Sequence, residues 1–183
     1  MTFLPTKTKR PERGSGNYMS FMDGENRIRI VTDAATGWIY WVKGDGDKNK
    51  PVRVKEMPEE VPAEAIEDKY GNFVKEFYVF GVWNYQEKKV QILEVTQISI
   101  QERIYDLHSD EDWGDPKQYD IKINRIKKGE RVEYSVSPVP HKDLSMEIAD
   151  AVAEKPINLQ ALYSGKDPFE ITDEDVDTDN LPI

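Results

Sequence analysis

The feature that most constrains this chain is a series of short runs in which apolar and polar residues alternate, each bounded by turn residues. In 26–32, Ile28 and Ile30 fall on one side and Arg27 and Arg29 on the other, the period of a half-buried strand. Trp38–Lys43 is aromatic and β-branched, and the Gly/Asp turn at 44–47 ends it. A turn at 33–37 between these two runs suggests a hairpin. The longest strand region is 75–96, which runs from Lys75 to Tyr85, turns at 86–89 and returns through Val90–Thr96. Gly81 inside it marks a bulge or bend. Two more alternating runs, Tyr119–Arg125 and Arg131–Ser137, flank a turn at 127–130.

Helical spacing appears in fewer places. Ile98, Ile100 or Gln101, Ile104, Tyr105 and Leu107 or His108 follow 3.6-residue spacing over Ile98–Ser109, and Gly114 and Pro116 follow as stop signals. Leu144, Ile148, Ala149 and Val152 mark a short helix over 143–154, with a further helical turn at 159–163. Three prolines and six acids fill 48–72, which reads as an insertion holding a short helix at 63–69. The order is strand, strand, long hairpin, helix, strand, strand. A five-stranded OB barrel carries its helix between the third and fourth strands. The expected fold is therefore mainly β. It is an OB-like five-stranded barrel with an extended hairpin, one helix between strands, a short C-terminal helix and disordered termini. Other small barrels with one helix give a similar string.

Composition sets further bounds. The 183 residues fit one domain with tails. With no cysteine, disulfides and thiolate metal sites are excluded, which fits a reducing cytoplasm. No run of about 18 apolar residues is present to span a membrane, and Met1–Lys7 lacks the apolar stretch of a signal peptide. The net charge is −10, but it is unevenly placed. Seven acids and no base lie between Asp167 and Ile183, which leaves −3 on residues 1–166. Lys7, Lys9, Arg10 and Arg13 make the other end basic. The expected organisation is a flexible basic arm at 1–25, a core at 26–140, a helical extension at 141–166 and a disordered acidic tail at 167–183.

Single-strand binders pair a positive groove with aromatic platforms, because every base has a π-face on which to stack. The candidate platforms are Trp38, Tyr40, Trp41, Tyr78, Phe80, Trp83 and Tyr85. The candidate phosphate contacts are Arg27, Arg29, Lys43, Arg53, Lys55, Lys75, Lys122 and Arg125. Trp38 and Tyr40 oppose Ile39 and Trp41, and Tyr78 and Phe80 oppose Phe77, Val79 and Trp83. Only one face can enter a small barrel, so some aromatics face outward and need a ligand or a covering segment. The tail residues Asp173, Glu174, Asp175, Asp177 and Asp179, with Leu181 and Ile183 at the tip, suit a partner-binding peptide or a competitor for the chain's own basic groove. Acids at 106–115 around His108 allow a metal-dependent nuclease as an alternative. An OB-like protein-interaction module is another.

Phe77–Tyr85 with Lys88–Glu94, then Asp112-Trp113-Gly114-Asp115-Pro116, Tyr119-Asp120-Ile121 and Val132–Pro138, resembles the single-stranded DNA-binding proteins of tailed bacteriophages, similar to the T-even helix-destabilising type. The resemblance spans about 25–140 and implies an OB-type core that binds single-stranded DNA without sequence specificity in replication, recombination and repair. It implies a non-enzymatic protein whose basic N-terminal arm self-associates cooperatively and whose acidic tail recruits replication and recombination proteins. T-even members hold a structural zinc through Cys and His. Residues 48–72 contain neither, so no metal or other cofactor is expected.

Overall fold

The structure, a computed structural model, describes residues 16–170. Seven strands form one antiparallel sheet: β1 (Gly24–Ile30), β2 (Ala35–Lys43), β3 (Asn49–Val54), β4 (Lys75–Asn84), β5 (Lys89–Val95), β6 (Asp120–Lys128) and β7 (Arg131–Pro138). Helix α1 (Ile98–Ser109) lies between β5 and β6, and α2 (Met146–Glu154) follows β7. Short 310 turns occupy Pro116–Gln118 and Leu159–Ser164. The sheet order is β3-β2-β4-β1-β6-β7, with β5 on β4, and the sheet does not close into a barrel.

β1 and β2 are not a hairpin. They lie end to end along the same edge of β4, Ile30 opposite Val82 and Ala35 opposite Val79, while β5 takes the other edge. The residues between them bend instead of reversing. Val31 N–H donates to the Gly81 carbonyl (2.9 Å), and Gly81 N–H donates to Thr32 Oγ1 (2.8 Å). Gly81 is what allows this approach, because a Cβ there would stand 2.6 Å from both Thr32 Cγ2 and Ile157 Cδ1.

Only part of the 48–72 segment is an insertion. Asn49–Val54 pairs with β2 along its whole length, so the excursion runs only from 55 to 74. Pro51 hid this strand. It is tolerated because β3 is an edge, where a missing N–H breaks no ladder. The short helix expected at 63–69 is a turn at 63–64 followed by chain without regular structure.

Both faces of the central strands are covered. On one face, Ile28, Phe80, Val82, Leu93, Ile121 and Ile123 pack against Ile100, Ile104 and Leu107 of α1. Full burial of each such side chain is worth roughly 1.5–3 kcal/mol. Gln101, also buried, donates from Nε2 to the carbonyls of Glu76 (3.0 Å) and Val95 (2.9 Å) and so ties α1 to the sheet. On the other face, Phe77, Val79 and Ile92 pack against Leu159 and Leu162, and Trp83 and Val90 pack against Ile148 of α2.

The ends of the described chain belong to this fold. Met19 N–H donates to the Ile92 carbonyl and Ile92 N–H to the Asn17 carbonyl, so residues 17–19 sit on the outer edge of β5. Pro168 is buried and Phe169 packs on the C-terminal cluster, which carries the fold past residue 166. The basic arm before residue 16 and the tail residues Asp173–Ile183 lie outside the described residues. Among the described residues, no helix is long and apolar enough to cross a membrane.

Candidate functional site

The basic residues expected to meet phosphate fall into two groups. Most are already held by acids. Asp120 accepts from Arg27 Nη2 (2.6 Å), Arg29 Nε (2.7 Å) and Tyr85 Oη (2.9 Å), and Arg27 lies over the Tyr85 ring at 5.0 Å. Arg29 is only 2% exposed and also donates to the carbonyls of Lys117 (3.3 Å) and Lys142 (2.7 Å), so it cannot reach a phosphate. It is a structural residue. Burial works against the Asp120 charge, but the hydrogen bonds from Arg27, Arg29 and Tyr85 prevail and hold its carboxyl below the ordinary range. Burial first, and the bond to Asp120 second, push the Tyr85 hydroxyl up to about 12.

Lys75 pairs with Asp68 at 2.5 Å, Lys122 with Glu25 at 3.6 Å and Arg125 with Asp23. The hydrogen bond from Lys75 holds the Asp68 carboxyl far below its usual value. Arg53 is paired with Glu94 at 2.6 Å, and Lys55 sits over the Tyr163 ring. Of the expected set only Lys43 has neither an ion pair nor a ring contact among the described residues. Lys48 and Lys50, across the same β2–β3 hairpin, are equally without ion pairs there. Sequence reasoning missed both because they fell in the supposed insertion. The alternating Lys48-Asn49-Lys50-Pro51-Val52-Arg53-Val54 run was the available signal.

The aromatic candidates divide in the same way. Trp83 is 5% exposed beneath α2, and Phe80 is 5% exposed in the main core. Trp83 is therefore not an outward platform, and Phe80 offers at most an edge. Cross-strand partners share a face, and the pairs Thr36–Tyr78, Trp38–Glu76, Trp38–Val54 and Tyr40–Val52 put Trp38, Tyr40 and Tyr78 on the α1 side of the sheet. Trp38 and Tyr40 are half-buried and belong to none of the apolar clusters. Tyr78 packs edge-on to Phe80, with centroids 6.5 Å apart. Beyond Tyr78 the row opens into a cavity of about 410 Å3 beside α1.

Trp41 points to the opposite face and is 43% exposed. It stands between two grooves. One, of about 660 Å3, is shared with Tyr18, Lys50, Arg53 and Lys166, and the other, of about 530 Å3, with Lys48 and Asp68. Tyr18 and Lys166 lay in segments assigned to the arm and the extension, which concealed them.

The 112–116 loop is tied into the fold by its own side chains. In the 112–116 loop, Trp113 packs edge-on to Tyr119 at 5.3 Å and stacks on His141 at 5.7 Å, and Asp115 caps the following 310 turn by accepting from Lys117 N–H. The acids at 106–112 are exposed, and among the described residues no group of three or more His, Asp or Glu is placed to hold a metal ion. No family model, no curated protein and no solved structure matches the chain.

Proposed function

We propose that this chain binds single-stranded DNA without sequence specificity and coats it, acting as a non-enzymatic protein. Bases stack on Trp38, Tyr40 and Tyr78, and phosphates meet Lys43, Lys48 and Lys50. The observation that carries this is the register of β2, β3 and β4. It aligns half-buried aromatics on one side of the sheet and leads to the tip of the β2–β3 hairpin. There Lys50, opposite Val42, starts from that side, and Lys43, opposite Asn49, starts from the Trp41 side. Neither they nor Lys48 form an ion pair among the described residues. Alternate residues of a strand stand about 6.8 Å apart, so Trp38 and Tyr40 offer successive, separate platforms. Each stacked base contributes roughly 1–3 kcal/mol, with little regard to its identity. The likeness to phage helix-destabilising proteins supports the same reading. It extends it to replication, recombination and repair, with the acidic tail recruiting partner proteins and the basic arm mediating self-association.

The test is anisotropy of labelled oligo-dT at low salt with the full chain and with Trp38→Ala and Tyr40→Ala. Saturable binding that each substitution weakens supports the proposal. Absence of binding to the unaltered chain sinks it. One observation favours a second reading. The 55–74 excursion exposes Met57 (62%), Val61 (57%) and Tyr70 (73%), apolar groups suited to a protein partner. A protein-interaction module would leave oligo-dT unbound and lose its partner on Tyr70→Ala.

A further inference from the structure

The 410 Å3 cavity at the end of the aromatic row has the dimensions of a small-molecule site, which usually measures 300–1,000 Å3. The bend between β1 and β2, strand β4, helix α1 and residues 115–117 line it, and it is open to one side. Its floor is the buried trio Ile30, Phe80 and Ile104, and its sides are the rings of Tyr78 and Tyr105. Tyr105 stands 60% exposed on the lip of α1, an aromatic face beside a hollow. Thr36, in the wall, is the cross-strand partner of Tyr78, and Trp38 is the next residue of β2 on that side, so the cavity continues the row on which bases are proposed to stack.

The mouth decides which part of a nucleotide enters. Asp33 and Asp115 both lie there, bridged by the single ammonium of Lys117. Two carboxylates stand against the Lys117 ammonium and the His108 ring, so the lining carries no excess of cations to hold a phosphate, whereas an uncharged planar base meets apolar and aromatic walls. The lysines assigned to phosphate are on the β2–β3 hairpin, at the other end of the row.

We infer that the cavity takes one unstacked nucleobase of the bound strand and leaves its sugar-phosphate outside. This rests on the reading of the chain as a single-strand binder.

The experiment is a methyl NMR titration of the full chain with deoxycytidine and, separately, with deoxyribose 5-phosphate. Two variants accompany it. Ala34→Phe fills the cavity from an exposed position in the bend, and Tyr105→Ala removes an exposed wall, so neither disturbs the core. Deoxycytidine should shift the Ile30 and Ile104 methyls saturably, and the sugar phosphate should leave them unmoved. Ala34→Phe should abolish the shifts. Tyr105→Ala should weaken deoxycytidine binding by about tenfold, the scale of one lost stacking contact. Unmoved methyls, shifts that survive Ala34→Phe, or equal shifts with the sugar phosphate would overturn the inference. Oligo-dT anisotropy on the same samples separates the two levels. Binding of oligo-dT without a deoxycytidine response removes only the cavity, and absence of oligo-dT binding removes the single-strand reading and the cavity with it.

Discussion

The central strands and the β2–β3 hairpin use the same kinds of residue to opposite ends. In the centre, Trp83 is sealed under α2 and Arg27 and Arg29 are locked onto Asp120. On the hairpin, Trp38 and Tyr40 stay half-buried, Trp41 is open to two grooves, and Lys43, Lys48 and Lys50 form no ion pair among the described residues. What separates the halves is coverage. Among the described residues, the C-terminal segment packs over Val79, Phe77 and Ile39 and borders the groove beside Trp41 without burying it. An aromatic-basic interleave in a strand therefore says little until the covering segment is known. The centre holds the molecule together, and the hairpin is free to meet a ligand.

The largest expected effects break the centre alone. Asp120→Ala leaves Arg29 buried without its counter-charge, and removing one partner of such a pair costs about 3–5 kcal/mol. Trp83→Ala opens a cavity under α2 at a similar cost of about 3–5 kcal/mol. Urea denaturation should show both losses, while the fraction that stays folded keeps the oligo-dT affinity of the parent chain. The hairpin inverts this pattern. Trp38→Ala should lower oligo-dT affinity by roughly 1–3 kcal/mol and shift the urea midpoint far less than Trp83→Ala does. A Trp38→Ala chain that unfolds easily but binds normally would erase the distinction.

Titration of the Asp120 cluster sharpens it. Asp120 has a depressed folded pKa, so its contribution is complete above the ordinary aspartate value of about 3.9 and is lost as pH falls through the lower folded value. Tyr85 is raised to about 12, so its contribution is complete below the ordinary value of about 10 and is lost as pH rises toward 12. Urea midpoints measured against pH should fall at both extremes. In Asp120→Ala the acid step should shrink to what other depressed carboxyls such as Asp68 supply, and Tyr85 should titrate at lower pH. The smallest effect on stability belongs to the hairpin lysines. Replacing any one by Ala should change stability by less than about 0.5 kcal/mol.

Much of the architecture was legible in local pattern. The alternation in β1, β4, β5, β6 and β7 and the 3.6-residue spacing of α1 each depend on nearby residues, and they appear at the expected places. The failures involve information from elsewhere in the chain. Nothing around Arg29 signals that its partner is Asp120, 91 residues away. Nothing around Trp83 signals Ile148. The bend at 31–34 looks like a hairpin turn locally, and only the pairing of both its arms with β4 shows that the strand continues. β3 was obscured by Pro51, whose cost disappears at a sheet edge. Of the candidate site, alternation paired Trp38 with Tyr40 and Tyr78 with Phe80, but only the β2–β4 register joins them in one row. The choice of open cations could not, because it depends on which acids fold against which bases.

The claim that the hairpin is the binding half is tested most directly by the salt dependence of oligo-dT affinity. The parent chain would be compared with a chain carrying Lys43→Ala, Lys48→Ala and Lys50→Ala together. Each phosphate contact on a single strand contributes about 0.7 to the slope of log K against log salt. The triple variant should therefore bind more weakly at low salt and show a slope shallower by about 2. An unchanged slope and affinity would place the phosphates elsewhere and contradict the assignment of this hairpin.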